Sequence, residues 1–289
     1  MYTIEIEDKG LLIELPSAWE ECNDIQVNYI LTHAFLVMSG HLSIAEFRLK
    51  VFCLFTGLKL GLLYQIRQRL NLNKIINEQI YRLSKQLCNW VFERTEDIAD
   101  EKYELRYNTI INFFPTLCDN LIGPQDLLSD ITFGEFKAAI AVMDEYFDEK
   151  DNPELAGERL NYLLAMLYRP VKDGARCSFQ GFVVEPDAVK NVPAWIKQSI
   201  LIWFTNCIKA IQTETLTING IEIDFSTLFP QHNGTQSKSN KINFGWTGVL
   251  FEIAESGVFG DAKSTSETNL FEILQYLMKK NQENKSSKK

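Results

Sequence analysis

Four helix-start signatures spread along the chain constrain its fold more than any other feature. Each is a Ser or Thr followed three residues later by Glu at the head of an apolar stretch: Ser17/Glu20, Ser43/Glu46, Thr132/Glu135 and Ser264/Glu267. In such a capping box, the hydroxyl and the carboxylate satisfy backbone N–H groups that have no partner inside the helix. The signatures predict helices along the whole chain, and they give the four glutamates a structural task.

Two β-hairpins interrupt this helical pattern. Apolar and polar residues alternate from Tyr2 to Leu15 on both sides of a turn at Asp8-Lys9-Gly10. The dipeptide Asn219-Gly220 lies between two further alternating runs, 215–218 and 221–225, and this arrangement predicts a type I′ turn. A short strand is also expected from Tyr103 to Tyr107.

The expected fold class is mainly α, a multi-helix assembly with these small β-hairpins. Predicted helical segments are a region from Ser17 to about Arg94 with breaks near Gly40 and Gly57, then 132–147, 153–168, 188–211, 244–256 and 267–281. The segments 132–147 and 153–168 form a helical hairpin, because Asn152-Pro153 is a typical cap followed by Pro at the first helical position.

The pattern divides the chain into four parts. Residues 1–94 hold the N-terminal hairpin and a helical region, and 95–230 a central helical region with a small hairpin. Residues 231–243 are rich in Ser, Asn and Lys and are expected to form a polar linker or exposed loop. Residues 244–289 form a C-terminal helical pair with a polar tail.

The composition excludes several functional classes. A net charge of -9 and a pI near 5.0 argue against nucleic-acid binding, which requires clustered Lys and Arg. The six cysteines include no C-x-x-C pair, which favours reduced intracellular thiols. No apolar stretch is long enough to cross a bilayer and no secretory signal is visible, so we expect no membrane contact and a cytoplasmic location.

The residues offer little evidence for catalysis. The three histidines lack a second His or a Cys at metal-ligand spacing: His33, His41 and His232. One helix carries four carboxylates in two i,i+4 pairs, as di-metal bundles do: Asp144, Glu145, Asp148 and Glu149. The Glu-x-x-His pairs that such bundles also need are absent, so a solvated acidic face is the better interpretation. We therefore expect no catalytic residue, no cofactor and no metal.

Four side chains are candidates for binding a protein partner: Trp19, Tyr168, Arg169 and Trp246. Aromatic and arginine side chains often dominate protein interfaces. Core packing is the competing interpretation for the tryptophans. For Arg169, at a helix end, an internal salt bridge is the competing interpretation.

Several longer phrases resemble a family of uncharacterised Bacteroidetes phage and prophage proteins encoded among tail-morphogenesis genes. They are Leu15-Pro16-Ser17-Ala18-Trp19-Glu20-Glu21, Gly123-Pro124, Ile131-Thr132-Phe133-Gly134-Glu135-Phe136, Leu163-Leu164-Ala165-Met166-Leu167-Tyr168-Arg169-Pro170 and Phe244-Gly245-Trp246. The resemblance covers most of the chain. It implies a role in virion assembly, as a tail assembly chaperone that keeps the tape-measure protein soluble, and it brings no catalytic residue.

Three functional classes remain open from the sequence. The first is the chaperone, in which the helical hairpin from Thr132 to Pro170 and the closing pair around Trp246 would present an apolar groove to a partner helix. The second is a structural virion component, such as a neck or baseplate subunit. The third is a metal-dependent enzyme that uses the acidic helix. Homo-oligomerisation is compatible with each of them.

Overall fold

The computed structural model describes residues 1–6, 10–59, 74–94, 103–118, 120–172, 174–218, 220–229 and 245–286. Within these residues the chain is mainly helical, and its strands form small antiparallel sheets. The linker predicted at 231–243 lies outside the described residues.

The chain divides into two compact units, Met1–Thr109 and Ile110–Lys289. The sequence pattern placed the first boundary at 94 instead. The difference arises at Tyr103–Leu105, a strand that pairs with Phe92–Arg94 and therefore belongs to the first unit.

The first unit combines two two-stranded sheets with helices. The strands are β1 (Tyr2–Ile6), β2 (Leu11–Leu15), β3 (Phe92–Arg94) and β4 (Tyr103–Leu105), and the helices are α1 (Asp24–Met38), α2 (Ile44–Thr56) and α3 (Lys74–Leu87). In the predicted N-terminal hairpin, β1 pairs antiparallel with β2 and Ile4 lies opposite Ile13. The core of the first unit is formed by fully buried side chains of β2, α1 and α2, among them Leu15, Val27, Ile30, Phe47 and Val51.

Helix α1 does not begin with the predicted Ser17/Glu20 box, and that prediction is wrong. The amide and hydroxyl of Ser17 donate to the Glu21 carboxylate instead, at 2.7 and 3.0 Å. The cap of α1 is Asn23, whose side chain accepts from the Gln26 amide at 3.0 Å while the Gln26 side chain accepts from the Asn23 amide at 2.9 Å. A reciprocal box formed by amide side chains thus starts the helix.

Helix α2 confirms the second predicted box. The Glu46 amide donates to the Ser43 hydroxyl at 3.2 Å, and the Glu46 carboxylate accepts from the Ser43 amide at 3.0 Å. The helix ends at Gly57, whose φ of 66° is a left-handed conformation that favours glycine.

The second unit contains a four-stranded antiparallel sheet, a hairpin and helices. The strands are β5 (Thr116–Leu117), β6 (Leu121–Ile122), β7 (Arg169–Lys172), β8 (Ala175–Arg176), β9 (Thr215–Ile218) and β10 (Ile221–Asp224). The helices are α4 (Phe133–Asp148), α5 (Pro153–Leu167), α6 (Ala194–Thr213), α7 (Gly245–Glu255), α8 (Ala262–Glu267) and α9 (Leu270–Ser286). The sheet order is β5-β6-β7-β8, so the end of α5 runs directly into an inner strand.

Helices α4 and α5 form the predicted helical hairpin. Asn152 caps α5 by accepting from the Leu155 amide at 3.4 Å, and Pro153 occupies the first turn. The predicted Asn-Gly hairpin is also present, with β9 and β10 paired and Gly220 at a φ of 79°.

The last predicted box, Ser264/Glu267, is wrong. Ser264 lies inside the short helix α8, where its amide donates to the side chain of the true cap, Asp261, at 2.8 Å. The long helix α9 starts only after Asn269, whose side-chain oxygen accepts from the Phe271 amide at 2.8 Å.

The C-terminal helices are joined to the start of the helical hairpin by backbone hydrogen bonds. The Phe133 amide donates to the Thr268 carbonyl at 2.9 Å, and the Leu270 amide donates to the Ile131 carbonyl at 3.0 Å. The segment that holds α7 to α9 is therefore part of the second unit.

Candidate functional site

A buried cluster of charged side chains joins the start of α4 to strands β7 and β8. Glu135, which is 1% exposed, accepts two parallel hydrogen bonds from Arg169, at 2.9 Å from Nη1 to Oε1 and 3.0 Å from Nη2 to Oε2. Arg176 donates from Nη1 to the same Oε1 at 2.7 Å and from Nη2 to Asp130 Oδ2 at 3.1 Å. Such bidentate arginine–carboxylate pairs are both strong and geometrically specific.

Backbone carbonyls take further donors of the cluster. Arg169 donates from Nε to the Cys177 carbonyl at 2.9 Å and from Nη1 to the Met166 carbonyl at 2.7 Å, and Arg176 Nη1 donates to the Leu167 carbonyl at 2.9 Å. The ring of Phe179 lies over the Arg169 guanidinium, 5.6 Å from its Cζ. With Glu135 and Asp130 the two arginines form a formally neutral group, which is the condition for burying charge at tolerable cost.

The start of α4 places Glu135 in this cluster. The Thr132 hydroxyl accepts from the Glu135 amide at 3.2 Å, as in a capping box. The Glu135 carboxylate points to the arginines and makes no return bond to the Thr132 amide, so the predicted box is only half formed. At Gly134 an added Cβ would lie 1.9 Å from Ser266 Oγ and 3.0 Å from the Ser266 carbonyl oxygen, so glycine favours the close approach of α8 to this helix.

Tyr168 belongs to a second buried group beside the cluster. Its hydroxyl donates to Asn112 Oδ1 at 3.3 Å, and Asn112 Nδ2 donates to the Pro124 carbonyl at 2.7 Å. A Cβ on Gly123 would lie 2.4 Å from Tyr168 Cε1, so the ring covers the glycine backbone directly. Burial raises the pKa of the Tyr168 hydroxyl, although the bond to Asn112 opposes the shift.

The structure buries three of the four side chains predicted to contact a partner. Trp19, Tyr168 and Arg169 are 1%, 1% and 3% exposed. The Trp19 indole donates to the Arg106 carbonyl at 2.7 Å inside the first unit. Arg169 forms the internal salt bridge that the sequence left as its alternative. These three side chains hold the interior together and present no surface to a partner.

Trp246 is half-buried in the second unit, and its ring lies against three other aromatic rings. The centroid distances are 5.8 Å to Phe133, 5.4 Å to Phe136 and 5.7 Å to Phe229. The apolar space that the sequence predicted between the helical hairpin and the closing helices is thus occupied at this point by the chain's own indole.

One cleft of the second unit lies next to the charged cluster. It has a volume of about 290 Å³ and is lined by the cap of α4, the loop after β8 and the end of α8: Thr132, Ser178, Phe179, Gln180, Gly181, Ser266 and Glu267. Phe179 separates the cleft from the Arg169 guanidinium that it covers. The lining offers hydroxyls, an amide and one carboxylate.

The thiols of Cys22, Cys88 and Cys207 are buried. Burial raises the pKa of Cys22 and of Cys88 to about 12, and it raises that of Cys207 as well. Cys118 is exposed.

Within the described residues, no group of three or more His, Cys, Asp or Glu side chains has the arrangement of a metal site. Of the acidic residues on α4, Glu145 pairs with Arg159 of α5 at 3.2 Å. Among the helices that the structure describes, none combines the length and apolarity needed to cross a membrane.

The sequence missed Glu135 and Arg176 as partners in a buried cluster. The capping pattern assigned Glu135 a purely local role, and Arg176 carries no local signal. A charged residue in the otherwise apolar first turn of α4 was the only available hint.

Four of the phrases that carry the phage-protein resemblance meet around these buried groups. Gly123-Pro124 lies under Tyr168, Glu135 pairs with Arg169, and Phe133 and Phe136 contact Trp246. The chain matches no protein-family model, and no curated protein or solved structure matches it. The phage resemblance therefore stays a prediction.

Proposed function

We propose that the chain is a non-catalytic phage assembly protein, a tail assembly chaperone that binds the tape-measure protein in the host cytoplasm. The resemblance of its sequence phrases to tail-morphogenesis proteins supports this function. The acidic net charge of -9 is compatible with it, because charge of one sign keeps a chaperone dispersed at high concentration.

The observation that carries the proposal is that the side chains of the charged cluster bond to one another and to backbone carbonyls of the same chain. Glu135 accepts from two arginines, and those arginines also donate to the Cys177, Met166 and Leu167 carbonyls. A catalytic carboxylate or an arginine that binds substrate needs a free face toward a cavity. The charged cluster instead bonds to groups of the chain itself, as a structural ion-pair network does.

Protein binding would then use the exposed surface of the helices. Helical proteins commonly capture a client as an amphipathic helix laid on an apolar helix face. We expect the tape-measure protein to expose such faces before the tail is assembled. A chaperone of this kind covers them by reversible contacts and requires no active site.

Co-expression with the tape-measure protein of the same phage or prophage tests the proposal. We expect the tape-measure protein to move from the insoluble to the soluble fraction and to co-purify with the chain. An unrelated insoluble helical protein, expressed in the same way, is the control. Unchanged solubility together with no co-purification would refute the function.

Mass spectrometry of purified virions separates the chaperone from a structural virion component. A chaperone is absent from mature particles, whereas a neck or baseplate subunit is present at fixed stoichiometry. Detection of the chain in virions at fixed stoichiometry would refute the chaperone and support a structural virion component.

A further inference from the structure

A large aromatic side chain is exposed at the end of the helical hairpin. Phe147 lies in the last turn of α4 and is 45% exposed. The Phe147 and Tyr146 rings form a T-shaped contact with a centroid distance of 5.3 Å, and the Tyr146 hydroxyl accepts from Gln198 Nε2 of α6 at 3.4 Å. The exposed Phe147 ring therefore packs against Tyr146, a side chain that is itself hydrogen-bonded to α6.

Three aspartates lie within four residues of Phe147 in the sequence. Asp144 precedes it by one helical turn, Asp148 follows it directly, and Asp151 lies in the turn to α5. No basic group of the described residues lies within ion-pair distance of these three aspartates. Burial and the charge of Asp148 raise the pKa of Asp144, as expected for carboxylates that share a site without a cation.

The negative charge is concentrated in this part of the chain. Positions 144–159 contain seven acidic and two basic residues, a net charge of -5, compared with -9 for all 289 residues. One of the two cations, Arg159, is already paired with Glu145. The other cation, Lys150, stands between Asp148 and Asp151 in the sequence, so carboxylates outnumber cations in the exposed segment around Phe147.

We propose that the end of α4 and the turn that follows it dock a basic amphipathic helix of the client. This surface, here called the Phe147 face, is formed by Phe147, Asp144, Asp148 and Asp151. This inference rests on the proposed function and specifies its client chemistry. An aromatic anchor inside a charged rim is a frequent form of an interface centre. Charge complementarity selects lysine-rich or arginine-rich segments and speeds their association.

The test uses the full chain and two synthetic helical peptides of 18 residues. One carries leucine on one face of the helix and lysine on the opposite face. The other carries glutamate in place of lysine. Binding is measured by fluorescence anisotropy at two salt concentrations. We expect the lysine peptide to bind, the glutamate peptide not to bind, and affinity to fall as salt rises, because exposed charges are screened.

The matched variants are Phe147→Ser and Phe251→Ser. Phe251 of α7 is also exposed, at 54%, and also precedes a carboxylate, but Glu252 is neutralised by Lys280 at 3.0 Å. Phe147→Ser should weaken binding of the lysine peptide about tenfold or more, as truncation of an interface anchor does, whereas Phe251→Ser leaves it unchanged. A second variant, Asp148→Asn with Asp151→Asn, should lower both the affinity and its salt dependence.

Equal loss in the two serine variants, or equal binding of the two peptides, would overturn the Phe147 face. The result is separable from that of the proposed function. If the tape-measure protein co-purifies with the Phe147→Ser variant as well as with wild type, the function stands and the face is refuted. If the tape-measure protein never co-purifies but the peptide binds through Phe147, the face stands with a different client.

Discussion

Replacing Glu135 by Gln removes the negative charge that Arg169 and Arg176 share in the interior of the second unit. The substitution keeps the size and shape of the side chain, so packing is preserved. The oxygen of the new amide still accepts hydrogen bonds, but its NH₂ group faces a guanidinium donor that now has no acceptor. Of the two arginines, only Arg176 then keeps a carboxylate partner, Asp130.

The expected cost follows from burial. Removing one partner of a buried ion pair typically destabilises a protein by about 3–5 kcal/mol, because the other charge remains buried without compensation. The side chains of Glu135, Arg169 and Arg176 are 1%, 3% and 7% exposed, so solvent cannot replace the lost carboxylate. For a domain of this size the loss corresponds to a decrease in Tm of roughly 6–20 °C.

Glu145→Gln in the same helix is the matched control. Glu145 also pairs with an arginine, Arg159, but these side chains are 52% and 45% exposed. Exposed pairs contribute about 0–1 kcal/mol, so Tm should change by a few degrees at most. Both variants are compared with wild type by urea denaturation and calorimetry.

A difference of less than about 1 kcal/mol between the two variants would refute the reasoning. It would mean that Glu135 carries no more of the stability than a surface carboxylate does. Rescue adds a second check, because Glu135→Gln combined with Arg169→Met leaves fewer buried cations and should recover part of the loss.

Three further predictions concern glycines and thiols. Gly134→Ala should destabilise by about 1–3 kcal/mol in urea denaturation, since its Cβ would lie 1.9 Å from Ser266 Oγ and 3.0 Å from the Ser266 carbonyl. Gly157→Ala, with open space around its Cβ in α5, should instead stabilise by about 0.5–1 kcal/mol, and the reverse order would contradict the packing described for α8. In native protein at pH 8, a thiol reagent should label Cys118 quickly and Cys88 only on unfolding, which peptide mass spectrometry reports. Burial raises the pKa of the Cys88 thiol from 9.0 to about 12, so the stability that the protonated thiol contributes is complete below pH 9 and is lost as the pH rises to about 12. Cys88→Ala should therefore reduce the fall of the denaturation midpoint between pH 9 and pH 12. An equal fall in wild type and variant would count against the burial of Cys88.

Local signals in the sequence were sufficient to predict where a helix starts when only one candidate capping box lay near that start. Ser43/Glu46 formed as predicted because no other capping residue competes near the start of α2. At α1 and α8, Asn23 and Asp261 lie close to the predicted caps and start the helices instead. The Asn-Gly hairpin and the cap at Asn152 were predictable because each depends on a few adjacent residues.

The buried groups were not predictable, because their partners are distant in the sequence. Glu135 and Arg169 are 34 residues apart, and Glu135 and Arg176 are 41 apart. A capping pattern reports that a glutamate stands in the first helical turn, but not whether its carboxylate turns back to the backbone or inward to an arginine. The same limit applies to Trp19 and Tyr168. Large aromatic side chains are common both in cores and at interfaces, and only the structure shows that these two lie in the core.

The backbone bonds between the start of α4 and the segment before α9 affect how the chain folds during synthesis. Phe133 and Ile131 bond to Thr268 and Leu270, close to the C-terminal end of the chain. On the ribosome the second unit cannot complete these bonds until its last helices have emerged. Until then Phe133 and Phe136 lack the cover of Trp246, so slowed translation or a premature stop before α7 would leave an apolar surface available for aggregation.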